Sequence, residues 1–127
     1  MTTSQLLLYG LLVLIILVYL RRFFLTRSVT RYSPTQLAER MKEGNMVLLD
    51  VRTSGEFQSG HIKGAIHIPV QEITSRSGEL KKHGDREIVC YCQSGSRSLM
   101  GAARLKKLGF RVSHLEGGIA EWNFSQR

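Results

Sequence analysis

Cys92 stands in a segment whose residue types are suited to nucleophilic chemistry. The apolar run Glu87–Tyr91 (EIVCY) is typical of a buried strand, and it leads through the polar segment 92–98 (CQSGSRS) into a helical pattern. A glycine-containing loop between a strand and a helix can turn its backbone N–H groups toward one point. The helix dipole and Arg97 add positive potential there. A cysteine that faces such a loop is expected to have a lowered pKa and to react as a thiolate.

The alternative for Cys92 is an inert core cysteine, because free cysteines are often buried. Its polar neighbours are poor core residues, and we therefore interpret Cys92 as the reactive thiol. Cys90 lies two residues back on the same face of the strand, about 6.6 Å away, which is the far limit for a disulfide. We interpret Cys90 as a core residue, and a redox role for it stays open.

Two charged residues, Asp50 and Arg52, end another apolar run, Met46–Val51 (MVLLDV). They could support the loop around Cys92 by hydrogen bonds or charge, or form an ion pair that fixes the end of the strand. The second interpretation is favoured. The histidines, which are His61, His67, His83 and His114, have no metal-ligand spacing with the cysteines, and we predict neither a metal nor a cofactor.

Strand and helix patterns alternate along the rest of the chain. Ser33 is a predicted N-cap and Pro34 a first helical residue, and Gly44 is predicted to end that helix. Further strands are predicted at 46–51, 66–68, 87–91 and 112–115, with helices at 98–108 and from Gly117-Gly118 to Trp122, and 72–82 stays ambiguous. The predicted apolar helix positions are Leu37, Ala38, Met41, Leu99, Ala102, Ala103, Leu105 and Leu108. This alternation predicts an α/β fold with a parallel sheet flanked by helices.

The N-terminal segment Leu6–Leu20 (LLLYGLLVLIILVYL) is apolar on every side. A cleaved signal peptide would need a basic start and a small-residue cleavage site, and neither is present. A buried core helix would leave a small domain with a fully apolar strip. With its uncharged flanks the segment approaches the roughly 20 residues that a membrane span needs. We predict one transmembrane helix, with residues 1–25 as a single-pass membrane anchor.

The net charge of +8 is concentrated after this segment. Residues 21–31 contain four arginines and no acidic residue, which is half of the excess. Positive charge beside a span sets its orientation, so the C-terminal domain is expected in the cytoplasm, where two free thiols would also stay reduced. Residues 26–32 are interpreted as a basic linker, and 33–127 as the domain. The rest of the chain has no basic, aromatic-rich run, and we predict no nucleic-acid partner.

Three sequence blocks resemble the rhodanese-like domain family. LLDVRTSGEFQSGHIKGAIHIP is similar to its amino-terminal signature. CYCQSGSRS is similar to its active-site loop, and AARLKKLGF with HLEGGIAEW to its carboxyl-terminal part. The resemblance extends from Ser33 to Trp122 with the blocks in the right order. It implies a rhodanese-like fold and sulfurtransferase activity.

The resemblance also implies roles for individual residues. Cys92 would take a sulfane sulfur from a donor such as thiosulfate as a persulfide and pass it to cyanide or a thiol. The residues that would cradle substrate and persulfide are Gln93, Ser94, Gly95, Ser96 and Arg97. Glu56 and His61 match the signature and are expected to hold the loop after the strand that ends at Asp50.

Two other functions stay open beside sulfur transfer. Phosphatase and arsenate-reductase members of the family have a loop one residue longer than the six residues from Cys92 to Arg97, so this length favours sulfur. Some relatives lack the cysteine and act as non-catalytic modules. The second alternative is therefore that this chain is a non-catalytic interaction module at a membrane. The expected partners are a small sulfur donor, a thiol acceptor and the membrane, bound through residues 6–20. No pattern in the sequence identifies a protein partner.

Overall fold

The structure is a computed structural model that describes residues 1–27 and 29–127, with the side chains of residues 25–27 outside the description. Helices are α1 Thr3–Arg27, α2 Pro34–Met41, α3 Ser54–Ser59, α4 Ile73–Arg76, α5 Ser96–Lys107 and α6 Gly118–Ser125. Strands are β1 Thr30–Tyr32, β2 Met46–Asp50, β3 Ile66–His67, β4 Glu87–Tyr91 and β5 Val112–Leu115. Two 3-10 helices, Val70–Glu72 and Ser77–His83, flank α4, which resolves the ambiguous segment.

The strands form one parallel sheet in the order β1-β5-β4-β2-β3. Leu49 pairs with Cys90, and Cys90 pairs with His114, so three adjacent strands end at the same edge. This edge carries Asp50 and Cys92. The predicted α/β class with a helix-flanked parallel sheet is confirmed.

Each face of the sheet has its own hydrophobic core. One core joins α4 and α5 to the sheet and includes Leu49, Cys90, Cys92, Ile73 and Leu105. The other joins α2 and α6 to the opposite face and includes Leu37, Leu48, Val89, Tyr91 and Ile119. Successive strand residues alternate between the two cores because strand side chains alternate in direction. Sheet strands buried on both faces read as continuous apolar runs for this reason.

Two helices begin with reciprocal capping boxes. The side chain of Ser33 accepts the Gln36 N–H, and the Gln36 side chain accepts the Ser33 N–H. Thr53 and Glu56 form the same arrangement at α3. The prediction of Ser33 as N-cap and Pro34 as first helical residue is confirmed. Helix α3 was not predicted, because its six residues contain no apolar repeat.

The segment before α2 differs from the prediction of a linker over 26–32. Thr30–Tyr32 forms edge strand β1, which pairs in parallel with β5, and Val29 is 4% exposed in the core. Residues 26–27 belong to α1, and Ser28 lies outside the described residues. A three-residue strand of sequence TRY has no apolar alternation from which to predict it.

Two smaller expectations also need correction. Leu108 was predicted to face the core but is 48% exposed, because it is the C-cap of α5, where the helix ends. Helix α2 ends at Met41, with Gly44 two residues beyond its C-cap. The other predicted core positions on α2 and α5 are buried or partly buried.

Helix α1 is exposed from Thr3 to Phe24. Residues Thr3–Phe24 have a mean hydropathy of 2.2, and this is the one helix among the described residues long and apolar enough to cross a membrane. None of its apolar window is buried against the rest of the described chain. It contacts α5, where Arg22 Nη2 lies 3.5 Å from Met100 Sδ. Membrane anchoring stays a prediction.

Candidate active site

Cys92 follows β4 directly and lies at the base of the loop that leads into α5. Its side chain is fully buried, at 0% exposure. Gly95 turns the loop back toward the sulfur with a φ of 117°, a conformation that favours glycine. Serines 94 and 96 are exposed at the outer rim of this loop.

The sulfur of Cys92 is surrounded by hydrogen-bond donors. The Gly95 N–H donates to Sγ over 3.0 Å, and Ser98 Oγ lies 3.6 Å from Sγ. Burial acts to raise the pKa of Cys92, but hydrogen bonds from the backbone and side chain of Ser98 and from the N–H groups of Gly95 and Ser94 outweigh it. The pKa of Cys92 is lowered, because these donors stabilise the thiolate more than the thiol.

Cys90 has the opposite environment. It is fully buried between the sheet and α5, and burial together with the charge at Cys92 raises its pKa to about 12. It therefore remains a neutral thiol at physiological pH, as expected of a core residue. The pKa values of the two cysteines thus shift in opposite directions, because one lies within the strand and the other at the start of the loop.

The N-terminus of α6 holds the carbonyl side of the loop. The Ile119 N–H donates to Cys92 O over 2.9 Å, and the Ala120 N–H donates to Gln93 O over 3.3 Å. Gly118 makes this approach possible, since a Cβ there would lie 2.5 Å from Cys92 O. With these carbonyls bound to α6, the N–H groups further along the loop are available to the sulfur.

Arg97 is held at the rim of the loop by a carboxylate. Its two Nη atoms donate to the Glu56 oxygens over 2.6 and 2.9 Å. This hydrogen-bonded pairing is the main reason that the pKa of Glu56 is lowered to about 2. Glu56 thus holds the segment after β2, as expected from its place in the signature, and also fixes the loop arginine.

Asp50 and Arg52 form a buried pair at the end of β2, with exposures of 0% and 3%. Arg52 Nη2 donates to Asp50 Oδ2 over 2.7 Å and to Gly60 O over 2.6 Å. Arg52 Nη1 reaches Gln93 Oε1 at 3.4 Å. The pair therefore fixes the end of the strand and also contacts the first residue after Cys92. Both the structural and the loop-supporting interpretation of Asp50 and Arg52 agree with these contacts.

A polar pocket of about 300 Å³ opens beside Gln93. Arg52, His61 and Asn123 are among its lining residues. The ring of His61 stacks on Phe57 at 3.8 Å, so α3 supports this wall. A larger pocket of about 460 Å³ lies between β1 and α2, and none of its lining residues belongs to the loop.

Two residues around the sulfur were not singled out from the sequence. Ser98 comes directly after the loop, and this position in the sequence could have indicated that it lies near the sulfur. His114 lies on β5 with Nδ1 3.1 Å from Ser98 Oγ. It carried no local signal, because only the pairing of β4 with β5 brings it near Cys92.

Comparison with known proteins identifies relatives for most of the chain. Residues 33–125 match the family model of the Rhodanese-like domain. A sulfurtransferase of Allochromatium vinosum is 38% identical over 96 residues, which are 74% of this chain and 88% of that protein. A putative sulfur carrier protein of Bacillus subtilis is 40% identical over 76 residues, 59% of this chain and 40% of that protein. An HTH-type transcriptional regulator of Mycobacterium tuberculosis is 41% identical over 101 residues, 77% of this chain. The chain spans only 42% of that regulator.

Solved structures share the fold. A rhodanese-related protein from Thermoplasma volcanium matches with a TM-score of 0.69 and 29% identity over 76% of this chain and 92% of that one. A thiosulfate sulfurtransferase from Pseudomonas aeruginosa matches with a TM-score of 0.71 over 80% of this chain and 20% of that one. At 24% identity, the second match shows the fold alone. The family model covers most of the chain, and we conclude that the chain belongs to the rhodanese-like family, which includes sulfurtransferases.

Proposed function

We propose that this chain is a membrane-anchored sulfurtransferase that carries sulfane sulfur as a persulfide on Cys92. The donor is a small anion such as thiosulfate, and the acceptor is a thiol or cyanide. The observation that carries the proposal is the set of hydrogen-bond donors around Cys92 Sγ, led by the Gly95 N–H at 3.0 Å. They favour a thiolate inside a loop whose free N–H groups can bind a second sulfur or an anion.

The chemistry needs no group beyond this thiolate. Cys92 S⁻ attacks the outer sulfur of thiosulfate and forms an S–S bond, while the sulfur–sulfur bond of thiosulfate breaks and sulfite leaves with the electron pair. The acceptor thiolate or cyanide then attacks the outer sulfur of the persulfide. Cys92 leaves as a thiolate, and the product is an acceptor persulfide or thiocyanate. Neither step requires a general base, because the nucleophile is already ionised.

The loop residues are assigned the following parts in this reaction. The N–H groups from Ser94 to Ser98 bind the negative outer sulfur, and Arg97 attracts the incoming anion at the rim. The polar pocket beside Gln93 is the proposed approach for the acceptor. Asp50 and Arg52 keep Gln93 and the strand end in place.

An intact-protein mass spectrum after incubation with thiosulfate tests the proposal. We expect a gain of one sulfur atom, lost on addition of cyanide or a thiol and absent in Cys92→Ser. Cys90→Ser is the matched control, since it removes the other thiol while leaving the loop intact, and it is expected to gain sulfur as the native chain does. If the folded native protein gains no sulfur, the proposal is wrong, and hydrolysis of a phosphoester by the same preparation would then support the phosphatase-like function.

The membrane part of the proposal depends on α1. Its exposed apolar surface and the arginines at its C-terminal end favour a single span with the domain in the cytoplasm. Recovery of the full chain in the membrane fraction after alkaline carbonate extraction would support this. Recovery in the soluble fraction would exclude an anchor.

A further inference from the structure

Behind the sulfur of Cys92, a buried histidine is hydrogen-bonded to the hydroxyl that the sulfur contacts. His114 is 3% exposed, and its Nδ1 lies 3.1 Å from Ser98 Oγ. Ser98 Oγ in turn lies 3.6 Å from Cys92 Sγ. Within residues 1–27 and 29–127, His114 Nε2 has no hydrogen-bond partner. Sulfur, hydroxyl and imidazole therefore form a row of neighbouring polar groups. The last atom of this row, His114 Nε2, is buried in the interior.

The Ser98 hydroxyl has one proton, and the tautomer of His114 decides where it points. If the imidazole proton is on Nε2, then Nδ1 is an acceptor that takes the hydroxyl proton. The Cys92 thiolate would lose a donor, and the buried Nε2–H would have no acceptor. Both losses are unfavourable.

The other tautomer satisfies more of these groups. With the proton on Nδ1, His114 donates to Ser98 Oγ, and the hydroxyl proton is left for Cys92 Sγ. Ser98 Oγ donates to Gly95 O over 3.0 Å, and that carbonyl also accepts the Leu99 N–H over 3.1 Å. Cys92 Sγ at 3.6 Å is the competing acceptor, and once it is ionised a hydrogen bond to the anion is the stronger of the two. Only the Nε2 lone pair then lacks a partner.

We propose that His114 is a positioning residue for the Cys92 thiolate, because its Nδ1–H directs the Ser98 hydroxyl to donate to the sulfur. This role of His114 rests on the proposed function, because it assumes that the Cys92 thiolate is the nucleophile. The hydrogen bonds themselves can be tested without sulfur transfer.

The charges around the site favour a neutral imidazole. Burial is the main cause that lowers the pKa of His114, Arg31 on β1 adds to it, and Glu116 opposes it. On the Cys92 side, Arg97 from α5 and Cys90 from β4 interact electrostatically with the thiol. A neutral His114 acts through the direction of its N–H bond, which distinguishes it from a general base.

The test measures the rate of Cys92 alkylation by iodoacetamide against pH in the reduced full chain in detergent, with the alkylated residue identified by mass spectrometry. The side-chain amide of His114→Asn can supply an N–H in place of Nδ1–H but cannot take up a proton as a base. His114→Leu supplies no donor. We expect the midpoint of the profile to stay unchanged in His114→Asn and to rise by about one pH unit in His114→Leu, which corresponds to the loss of one hydrogen bond to an anion.

His83→Leu is the matched control. Its Nε2 is also buried without a partner among the described residues, and it lies outside the loop. Its midpoint is expected to equal that of the native chain. An unchanged midpoint in a folded His114→Leu would overturn the proposal. So would an equal rise in His114→Asn, which would indicate a base.

A second measurement needs no substitution. The ¹⁵N chemical shifts of the histidines in the labelled native chain distinguish the two neutral tautomers. We expect His114 to be protonated on Nδ1, and protonation on Nε2 would overturn the proposal even if His114→Leu does not fold. Failure of thiosulfate loading would contradict the proposed function but would change neither the alkylation profile nor the tautomer.

Discussion

At the scale of single residues, Glu56 holds the charged side chain of Arg97 at the rim of the loop. We expect Glu56→Gln to slow sulfur loading by about one order of magnitude, because Arg97 would no longer be fixed by two short hydrogen bonds. Loading is measured as the rate of persulfide formation with thiosulfate. The control is Glu79→Gln in the segment Ser77–His83, which removes one of the two carboxylates paired with Arg76 and should leave the rate unchanged. Equal rates in the two variants would contradict a role for Glu56 at the site.

The same carboxylate predicts a dependence of stability on pH. The pKa of Glu56 is about 2 in the folded chain against a reference of 4.5, so the carboxylate stabilises the fold at pH values above 4.5. This contribution is lost as the pH falls from 4.5 toward 2. Because the ion pair is partly exposed to solvent, we expect Glu56→Gln to lower the free energy of unfolding by about 1 kcal/mol at pH 7. Urea denaturation should show this difference shrinking as the pH falls through that window, and a constant difference would contradict it.

At the scale of elements, the N-terminus of α6 is part of the active-site loop. Gly118 has a φ of 64°, and an added Cβ would meet Gln93 O and Cys92 O at less than 3 Å. Gly118→Ala is therefore expected to cost at least about 1–2 kcal/mol from the backbone conformation alone. It should also displace the two carbonyls and reduce sulfur loading.

Gly78→Ala is the control for this variant, since no described atom beyond its own helical segment and chain neighbours lies within 4 Å of its Cβ position, and its φ is not in the left-handed region. Thermal unfolding and the loading rate are measured for both variants. Native loading in a folded Gly118→Ala would show that α6 does not hold the loop.

Comparison of the elements shows which features could be predicted from the sequence. β2 and β4 were predicted because each contains a continuous apolar run, and Ser33 because its cap is local. Strand β1 was missed because only its pairing with β5 makes it a strand. His114 was missed for the same physical reason, since contacts between distant residues leave no pattern in either neighbourhood. The loop that begins at Cys92 could be predicted because strand, loop and helix follow one another in the sequence.

For the whole molecule, strand β1 determines where the domain can be separated from helix α1. A fragment that begins at Ser33 loses the buried Val29 and the hydrogen bond from Tyr32 to Glu87 at 2.9 Å. Burial of a valine contributes about 1.5–3 kcal/mol, and a hydrogen bond to a charged group adds to this. We expect the fragment 33–127 to be less stable than 29–127 by about 3 kcal/mol or more in urea denaturation. Equal stabilities would place β1 outside the folding unit.

The proposed membrane anchor would be oriented by the arginines near the C-terminal end of α1. Because Arg21 and Arg22 stand at the C-terminal end of the apolar segment, we expect the domain to face the cytoplasm. An impermeant maleimide is bulkier than iodoacetamide, and the test therefore uses a cysteine introduced at an exposed position in place of the buried native thiols. Ser125→Cys on α6 should react only after the cells are permeabilised, whereas Thr2→Cys before α1 should react in intact cells. Reaction of Ser125→Cys in intact cells would show the opposite orientation, with the domain outside the cytoplasm. The Cys92 thiolate would then lie in an oxidising compartment, where a persulfide carrier would need a dedicated reductant.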